Sequence, residues 1–182
     1  LICSVGTEIY YGATLSPDKG WHRHIAYQWR PEVIREKLGR LAFLEMQEPE
    51  KQKPFKVSYY MEDNPELLAR VHEVLQINKI RYHLVYSHGE FLDILPYRAS
   101  KGKAIRYLSY KWNIPLADIM VCGDSGNDES MLRGDTNGLV VANYSKELEK
   151  LKGMRRIYFS NKAYAAGIID GLRHYDFIGG DD

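Results

Sequence analysis

The stretch Val-Cys-Gly-Asp-Ser-Gly-Asn-Asp-Glu-Ser-Met-Leu, residues 121–132, places Asp124, Asp128 and Glu129 on one turn behind a short apolar run. Two chemistries fit that spacing. In the first, the turn joins a strand to a helix, its glycines permit close backbone approach, and Asn127 and Asp128 cap the helix that follows. That accounts for Asp128 but leaves Asp124 unexplained, a carboxylate set where the strand leaves the core. In the second, the carboxylates hold a hard divalent cation. Magnesium takes oxygen ligands, commonly one or two carboxylates together with substrate phosphate, so a magnesium site that uses Asp124 is the reading that accounts for its placement. A calcium-binding EF-hand loop does not fit, because its sixth position would be Glu129 rather than Gly and its twelfth Asp135 rather than Glu.

Lys101, in Tyr-Arg-Ala-Ser-Lys-Gly-Lys, residues 97–103, is the second group that could do chemistry. It falls in the first turn of an expected helix, where the dipole disfavours a cation. A residue set against local preference points to function. An ammonium there could neutralise a phosphate and an acidic nucleophile together. The plain alternative is a solvated lysine at a helix start. Lys103 reads as the solvated one of the pair, since Lys101 directly follows the cap, Ser100.

The elements that must position these groups can be read from periodicity. Residues 1–12 read as two strands about Gly6, and Pro17, Asp18 and Gly20 mark a turn. Residues 30–44 read as a helix with Pro31 at its first position and Val33, Ile34, Leu38, Leu41 and Ala42 on one face. A charged loop follows. Residues 55–61 alternate as a half-buried strand, and residues 64–79 form a helix capped by Asn64. Residues 80–87 and 90–96 make a hairpin about His88-Gly89. After Ser100 comes a helix whose Ala104, Ile105, Leu108 and Trp112 face a core. The nearly all-apolar runs 118–124, 138–143 and 156–160 each precede a helical segment, which is the pattern of a parallel sheet covered on both faces. The expected fold is α/β, a Rossmann-like parallel-sheet core with an inserted small α+β cap. The expected division is a partial core at 1–28, a cap at 29–88 and the rest of the core at 89–182. In such a sheet, ligands bind at the carboxyl ends of the strands, where Asp124 stands.

Bulk properties exclude several classes. The chain has 182 residues and a formal net charge of +1, so nothing electrostatic argues for a nucleic-acid or membrane surface. No run reaches the roughly 18 apolar residues of a membrane helix. Cys3 and Cys122 sit in apolar runs and read as buried thiols of a reducing compartment, hence a cytoplasmic protein. The chain opens on an apolar strand without Met, which is the expectation for a piece of a longer protein.

Other groups carry weaker signals. Residues 21–30, Trp-His-Arg-His-Ile-Ala-Tyr-Gln-Trp-Arg, interleave aromatic and basic side chains. A structural hairpin, a sugar-stacking surface and a nucleic-acid stripe all fit, and the neutral charge argues against the last. His22 and His24 alternate on an extended reading, but no third ligand suggests zinc. Tyr59, Tyr60, Tyr82 and Tyr86 read as packing on cap strands. Lys56 and Arg81, on the same strands, are candidate contacts for substrate hydroxyls or phosphate.

Lys101-Gly102 followed by a helix, an apolar strand and Gly-Asp-Ser-Gly-Asn-Asp resembles the third and fourth motifs of the haloacid dehalogenase superfamily. Within it, the stretches Ile-Cys-Ser-Val-Gly-Thr-Glu-Ile-Tyr-Tyr, Asp-Ile-Leu-Pro-Tyr-Arg-Ala-Ser-Lys-Gly-Lys-Ala-Ile-Arg-Tyr-Leu, Gly-Asp-Ser-Gly-Asn-Asp-Glu-Ser-Met-Leu-Arg-Gly and Ala-Ala-Gly-Ile-Ile-Asp-Gly-Leu are similar to sucrose-phosphate phosphatases. They are also similar to the phosphatase-like domain at the C-terminus of bacterial sucrose-phosphate synthases. The resemblance implies a magnesium-dependent phosphatase acting through an aspartyl-phosphate on a sugar phosphate, sucrose 6-phosphate before others. It implies Asp124 as metal ligand, Asp128 as the second acid ordering the metal shell, and Lys101 as clamp on phosphate and nucleophile. Asn127 would help position the phosphate or the nucleophile, and Arg98 would contact the sugar phosphate. The superfamily's Asp-x-Asp pair occurs nowhere in the 182 residues. The expectation is that nucleophile and general acid lie upstream and that this stretch alone is inactive. Similarity to the synthase domain implies a glycosyltransferase domain upstream and, as the alternative, a non-catalytic or regulatory role.

Overall fold

The computed structural model describes residues 1–179. Contacts divide the chain into two compact units, Leu1–Ser100 and Lys101–Asp182. The last three residues of the expected 89–182 segment lie outside the described residues.

The first unit opens with strands β1 (Ile2–Cys3), β2 (Glu8–Tyr11) and β3 (Ser16–Pro17) in an antiparallel sheet. Next comes helix α1 (Lys19–Ile25), which corrects the extended reading of residues 21–30. Asp18 caps it, its carboxylate accepting from the amide of Trp21 at 2.9 Å. This is the helix-start signal of an acid before an apolar periodic segment. On a helix His22 and His24, two residues apart, do not share a face.

Helix α2 (Pro31–Leu38), strands β4 (Glu45–Met46) and β5 (Val57–Tyr60), helix α3 (Pro65–Ile77), and strands β6 (Tyr82–Ser87) and β7 (Phe91–Pro96) complete the unit. The four strands form an antiparallel sheet in the order β4-β5-β7-β6. Helix α2 stops at Leu38, earlier than expected, and the amide of Leu41 bonds the Leu38 carbonyl in a turn instead. The expected helix α3 is present, with Asn64 capping through bonds from the amides of Glu66 and Leu67. His88 and Gly89, both at positive φ, turn the hairpin as expected. Strand β7 pairs with both β5 and β6, so the boundary expected at 88/89 would cut this hairpin.

Ile34, Leu38, Val71 and Leu75 from the two helices bury themselves with Val57, Tyr59, Leu92 and Ile94 of the strands. Ser58 of β5 and Lys56 just before it are buried as well. Lys56 donates to Ser58 Oγ at 2.7 Å and to Asp93 Oδ1 at 3.2 Å, and Ser58 donates to Asp93 Oδ1 at 2.6 Å. A buried charge needs such a partner.

The second unit holds helix α4 (Lys101–Trp112), strand β8 (Met120–Gly123), helix α5 (Glu129–Leu132), strands β9 (Asn137–Val140) and β10 (Ile157–Phe159), and helix α6 (Tyr164–His174). The strands are parallel in the order β10-β9-β8, as their apolar runs predict. Val121, Leu132, Val140, Leu148 and Leu151 form the core, with Ile105 of α4 against it. Trp112, expected to face a core, is half exposed at 52%.

Asp170 on α6 accepts from Ser160 Oγ at 2.7 Å and Tyr158 Oη at 2.8 Å, and pairs with Lys162 at 3.2 Å. The bonds from Ser160, then Tyr158, then Lys162 hold its carboxyl down at about 2. A depressed carboxyl contributes stability above its unfolded value, about 3.9, that is lost as pH falls toward the folded value. Thermal unfolding followed between pH 4 and 2 is therefore expected to show a steeper loss in the wild type than in Asp170→Asn. Parallel curves would contradict that role.

Candidate active site

Gly123 ends β8, and Asp124 is the first residue beyond it, where the chain leaves the sheet. The loop is fixed from several sides. The amide of Ser145 donates to the Asp124 carbonyl at 2.7 Å, and the amide of Gly126 donates to Glu147 Oε2 at 2.7 Å. Ser145 Oγ donates to the same Glu147 oxygen at 3.0 Å. Neither Ser145 nor Glu147 is singled out by the sequence reading, since their role depends on the segment after β9 returning to this loop.

The three acids have different fates. Glu129 pairs with Arg133 at 2.6 Å and Lys150 at 2.8 Å. Burial raises its pKa, but these cations outweigh burial and the net shift is downward. Asp128 is buried, 6% exposed, and its carboxylate is used by the protein itself. Its Oδ2 accepts from the amides of Asp124 at 3.1 Å and Ser125 at 3.4 Å, while Oδ1 accepts from Lys101 Nζ at 2.5 Å. It reaches back into the loop rather than capping α5, where it forms no side-chain cap bond. Asp124 is exposed, and no described residue bonds its carboxylate.

Lys101 begins α4, and its ammonium bonds Asn127 Oδ1 and Asp128 Oδ1. An ammonium has three donors, and its third has no partner among the described residues. Asp128 answers the unfavourable dipole with a direct charge partner. Two glycines make the approach possible. A Cβ at Gly123 would lie 2.5 Å from Asp128 Cβ, and one at Gly102 would lie 1.9 Å from the Ser130 carbonyl oxygen. The amide of Gly102 also donates to Ser130 Oγ at 3.2 Å.

Asp124 and Asp128 line a cleft of about 190 Å³ with Cys122, Asn143, Tyr164 and Ile168. Burial, then the Asp128 charge, pushes the Cys122 thiol up, which suits packing rather than nucleophilic chemistry. Lys103 is not the freely solvated side chain expected, because it is half-buried and burial pushes its ammonium down.

Magnesium fits this donor set at one point, the unbonded oxygen donors of Asp124, which suit a hard cation. Asp128 is less suited to direct ligation, since protein donors engage both its oxygens. Among the described residues no three His, Cys, Asp or Glu side chains come together to hold a metal ion.

Of the predicted residues, the structure gathers Lys101, Asn127, Asp128 and the Asp124 backbone into one hydrogen-bonded group. The other three belong to the first unit. Arg98 lies over the Tyr27 ring, 4.1 Å from its centroid, and donates to the His24 carbonyl at 3.4 Å. Lys56 is held by Asp93. Arg81 is exposed, 5.6 Å from the Tyr97 ring centroid.

The model of the family described as sucrose-6F-phosphate phosphohydrolase matches residues 1–176. Sucrose-phosphatase 1 of Nicotiana tabacum is 33% identical over 187 residues, covering 96% of this chain and 44% of the relative. The mannosylfructose-phosphate phosphatase of Agrobacterium fabrum is 32% identical over 178 residues, covering 96% of this chain and 72% of the relative. Among solved structures, the sucrose-phosphatase of Synechocystis sp. PCC6803 in complex with sucrose and phosphate matches with a TM-score of 0.89 at 29% identity. That match covers 94% of this chain and 72% of the other. The chain thus spans less than half the length of the tobacco relative. The expected α/β, Rossmann-like, haloacid dehalogenase-like fold is the fold of this chain. No described helix is long and apolar enough to cross a membrane.

Proposed function

This chain belongs to the sucrose-6F-phosphate phosphohydrolase family, and from that membership we propose that the protein carrying it is a magnesium-dependent phosphatase that hydrolyses sucrose 6-phosphate to sucrose and phosphate. The observation that carries this reading is the state of two groups on one loop system. Lys101 is pinned by Asn127 and Asp128 with one donor left over, and the Asp124 carboxylate at the end of β8 is unbonded.

In the proposed reaction, an aspartate oxygen attacks phosphorus as the sugar oxygen leaves with a proton, and water then hydrolyses the aspartyl-phosphate. This stretch has no Asp-x-Asp pair, so the reading takes nucleophile and general acid from residues outside these 182. Lys101 neutralises the oxygens of the transferring phosphoryl group, and Asp128 and Asn127 hold the ammonium so that no reorganisation is needed during transfer. Magnesium held by Asp124 would supply further charge neutralisation. Arg98 is proposed as a sugar-phosphate contact, with Arg81 as a second. Lys56, tied to Asp93, would act on substrate through the sheet face it shares with Ser58. The two free thiols support a cytoplasmic setting. Fusion to a glycosyltransferase domain is part of the same proposal, resting on the resemblance to the synthase domain.

The test is phosphate release from sucrose 6-phosphate by the full-length protein. Turnover is expected to stop with chelator and return with added magnesium, and sucrose 6-phosphate is expected to exceed fructose 6-phosphate and mannosylfructose-phosphate in kcat/KM. Release indifferent to chelation would contradict the magnesium assignment. Preference for mannosylfructose-phosphate would transfer the substrate to that relative's. No turnover of any of the three would leave the reading as a non-catalytic phosphatase-like domain.

A further inference from the structure

The first unit contains a cavity of about 440 Å³ lined by Gln28, Arg30, Lys79 and Arg81. Three of these four side chains are cationic. Among the described residues no carboxylate pairs with Arg30, Lys79 or Arg81, whereas Lys37, Arg40 and Arg70 elsewhere in this unit each have one. Like charges converging without a counterion repel one another, and the plain remedy for a folding chain is a nearby Asp or Glu. None is supplied.

Two of the three cations are also held in place. Arg30 donates from Nη2 to the Lys79 carbonyl at 3.1 Å, which ties the start of α2 to the end of α3 and leaves the rest of its guanidinium free. The Arg81 guanidinium is steadied by the Tyr97 ring. Gln28 and Lys79 both adopt left-handed backbone conformations, with φ of 57° and 51°, where side chains are disfavoured. The position of Lys79 just past the C-terminus of α3 is explained in part by the helix dipole, which favours a cation there. The dipole does not explain Arg81 two residues later, nor Arg30, which precedes the N-terminus of α2.

We infer that this cavity is a binding site for a small phosphorylated anion, a phosphate-monoester dianion with a polar body. Two guanidinium forks and an ammonium suit a doubly charged tetrahedral oxyanion, and the Gln28 amide offers both donor and acceptor to hydroxyls. The volume lies within the range of small-molecule pockets, roughly 300–1,000 Å³, and exceeds what phosphate alone would fill. The inference goes beyond the proposed phosphatase reading: Arg81 is the one residue the two share, and Gln28, Arg30 and Lys79 have no part in the proposed reaction.

Inorganic phosphate serves as the probe, titrated into ¹⁵N-labelled protein at constant ionic strength with chloride as the matched control. Saturable shifts are expected at the amides of residues 79–81 and at the side-chain N–H groups of Arg30 and Arg81. Arg81→Gln and Lys79→Gln should each weaken that response by about tenfold while the remaining amide spectrum is retained. Lys101→Met should leave it in place. Fructose 6-phosphate should saturate the same signals at lower concentration than phosphate. Shifts that do not saturate, that chloride reproduces, or that survive Arg81→Gln would overturn the inference. Shifts confined to Gly102 and Asn127 would overturn it too, while supporting the phosphate site of the proposed reaction, so the two readings fail separately.

Discussion

Lys101→Met in the full-length protein is expected to lower kcat for phosphate release by about a thousandfold, the scale for losing a preorganised charge on a transferring phosphoryl group. The effect should fall mainly on kcat, because the ammonium matters most as charge develops. Two of its three donors are spent on Asn127 and Asp128, so its position is set before substrate arrives. The substitution also leaves Asp128 without its cation, though two backbone amides still hold that carboxylate. A stability loss of about 1–3 kcal/mol should accompany the loss of rate. Lys101→Arg should not rescue activity, since a planar fork cannot occupy the place of a compact ammonium between these two oxygens. A Lys101→Met enzyme within threefold of wild type would remove the lysine from the mechanism.

Gly102→Ala should be the most destabilising single methyl added to this unit. The new Cβ would lie 1.9 Å from the Ser130 carbonyl oxygen, 2.6 Å from its carbon and 3.1 Å from the Met131 nitrogen. All three are backbone atoms, so no side chain can rotate away, and α4 must move off the loop. Forced insertions of this kind cost about 3 kcal/mol or more, which lowers the thermal midpoint of a chain this long by about 10 °C. The displacement begins one residue from Lys101, so activity should fall even below the melting transition. Scanning calorimetry decides the stability claim, and a midpoint unchanged within a degree would contradict the close packing.

Much of the fold could be read locally. Asn64-Pro65 starts a helix and His88-Gly89 turns a hairpin because their signals act within a few residues. The parallel sheet announced itself in three continuous apolar runs. The misreadings have physical causes. In residues 21–30 the alternation of aromatic and basic groups imitated a strand, and the capping potential of Asp18 outweighed it. The expected 88/89 boundary takes no account of strand pairing, which is long-range: β7 finds β5 across 30 intervening residues. At the site, Lys101 was legible because it defies the helix dipole, and Asp124 because it stands at a strand end. The buried partner of Lys56 was not legible, since Asp93 is 37 residues away. Nor was the grouping of Arg30, Lys79 and Arg81, which depends on two segments meeting.

The central claim is that the loop after β8 is a working metal and phosphate site rather than an acidic turn. Asp124 tests it best, because its carboxylate is exposed and unbonded and its removal should leave the fold intact. The measurement is phosphate release from sucrose 6-phosphate by full-length wild type and Asp124→Ala at saturating magnesium, with thermal midpoints recorded alongside. The account predicts equal midpoints and a rate lowered by about a hundredfold or more in the variant. Equal rates in two equally stable proteins would contradict it.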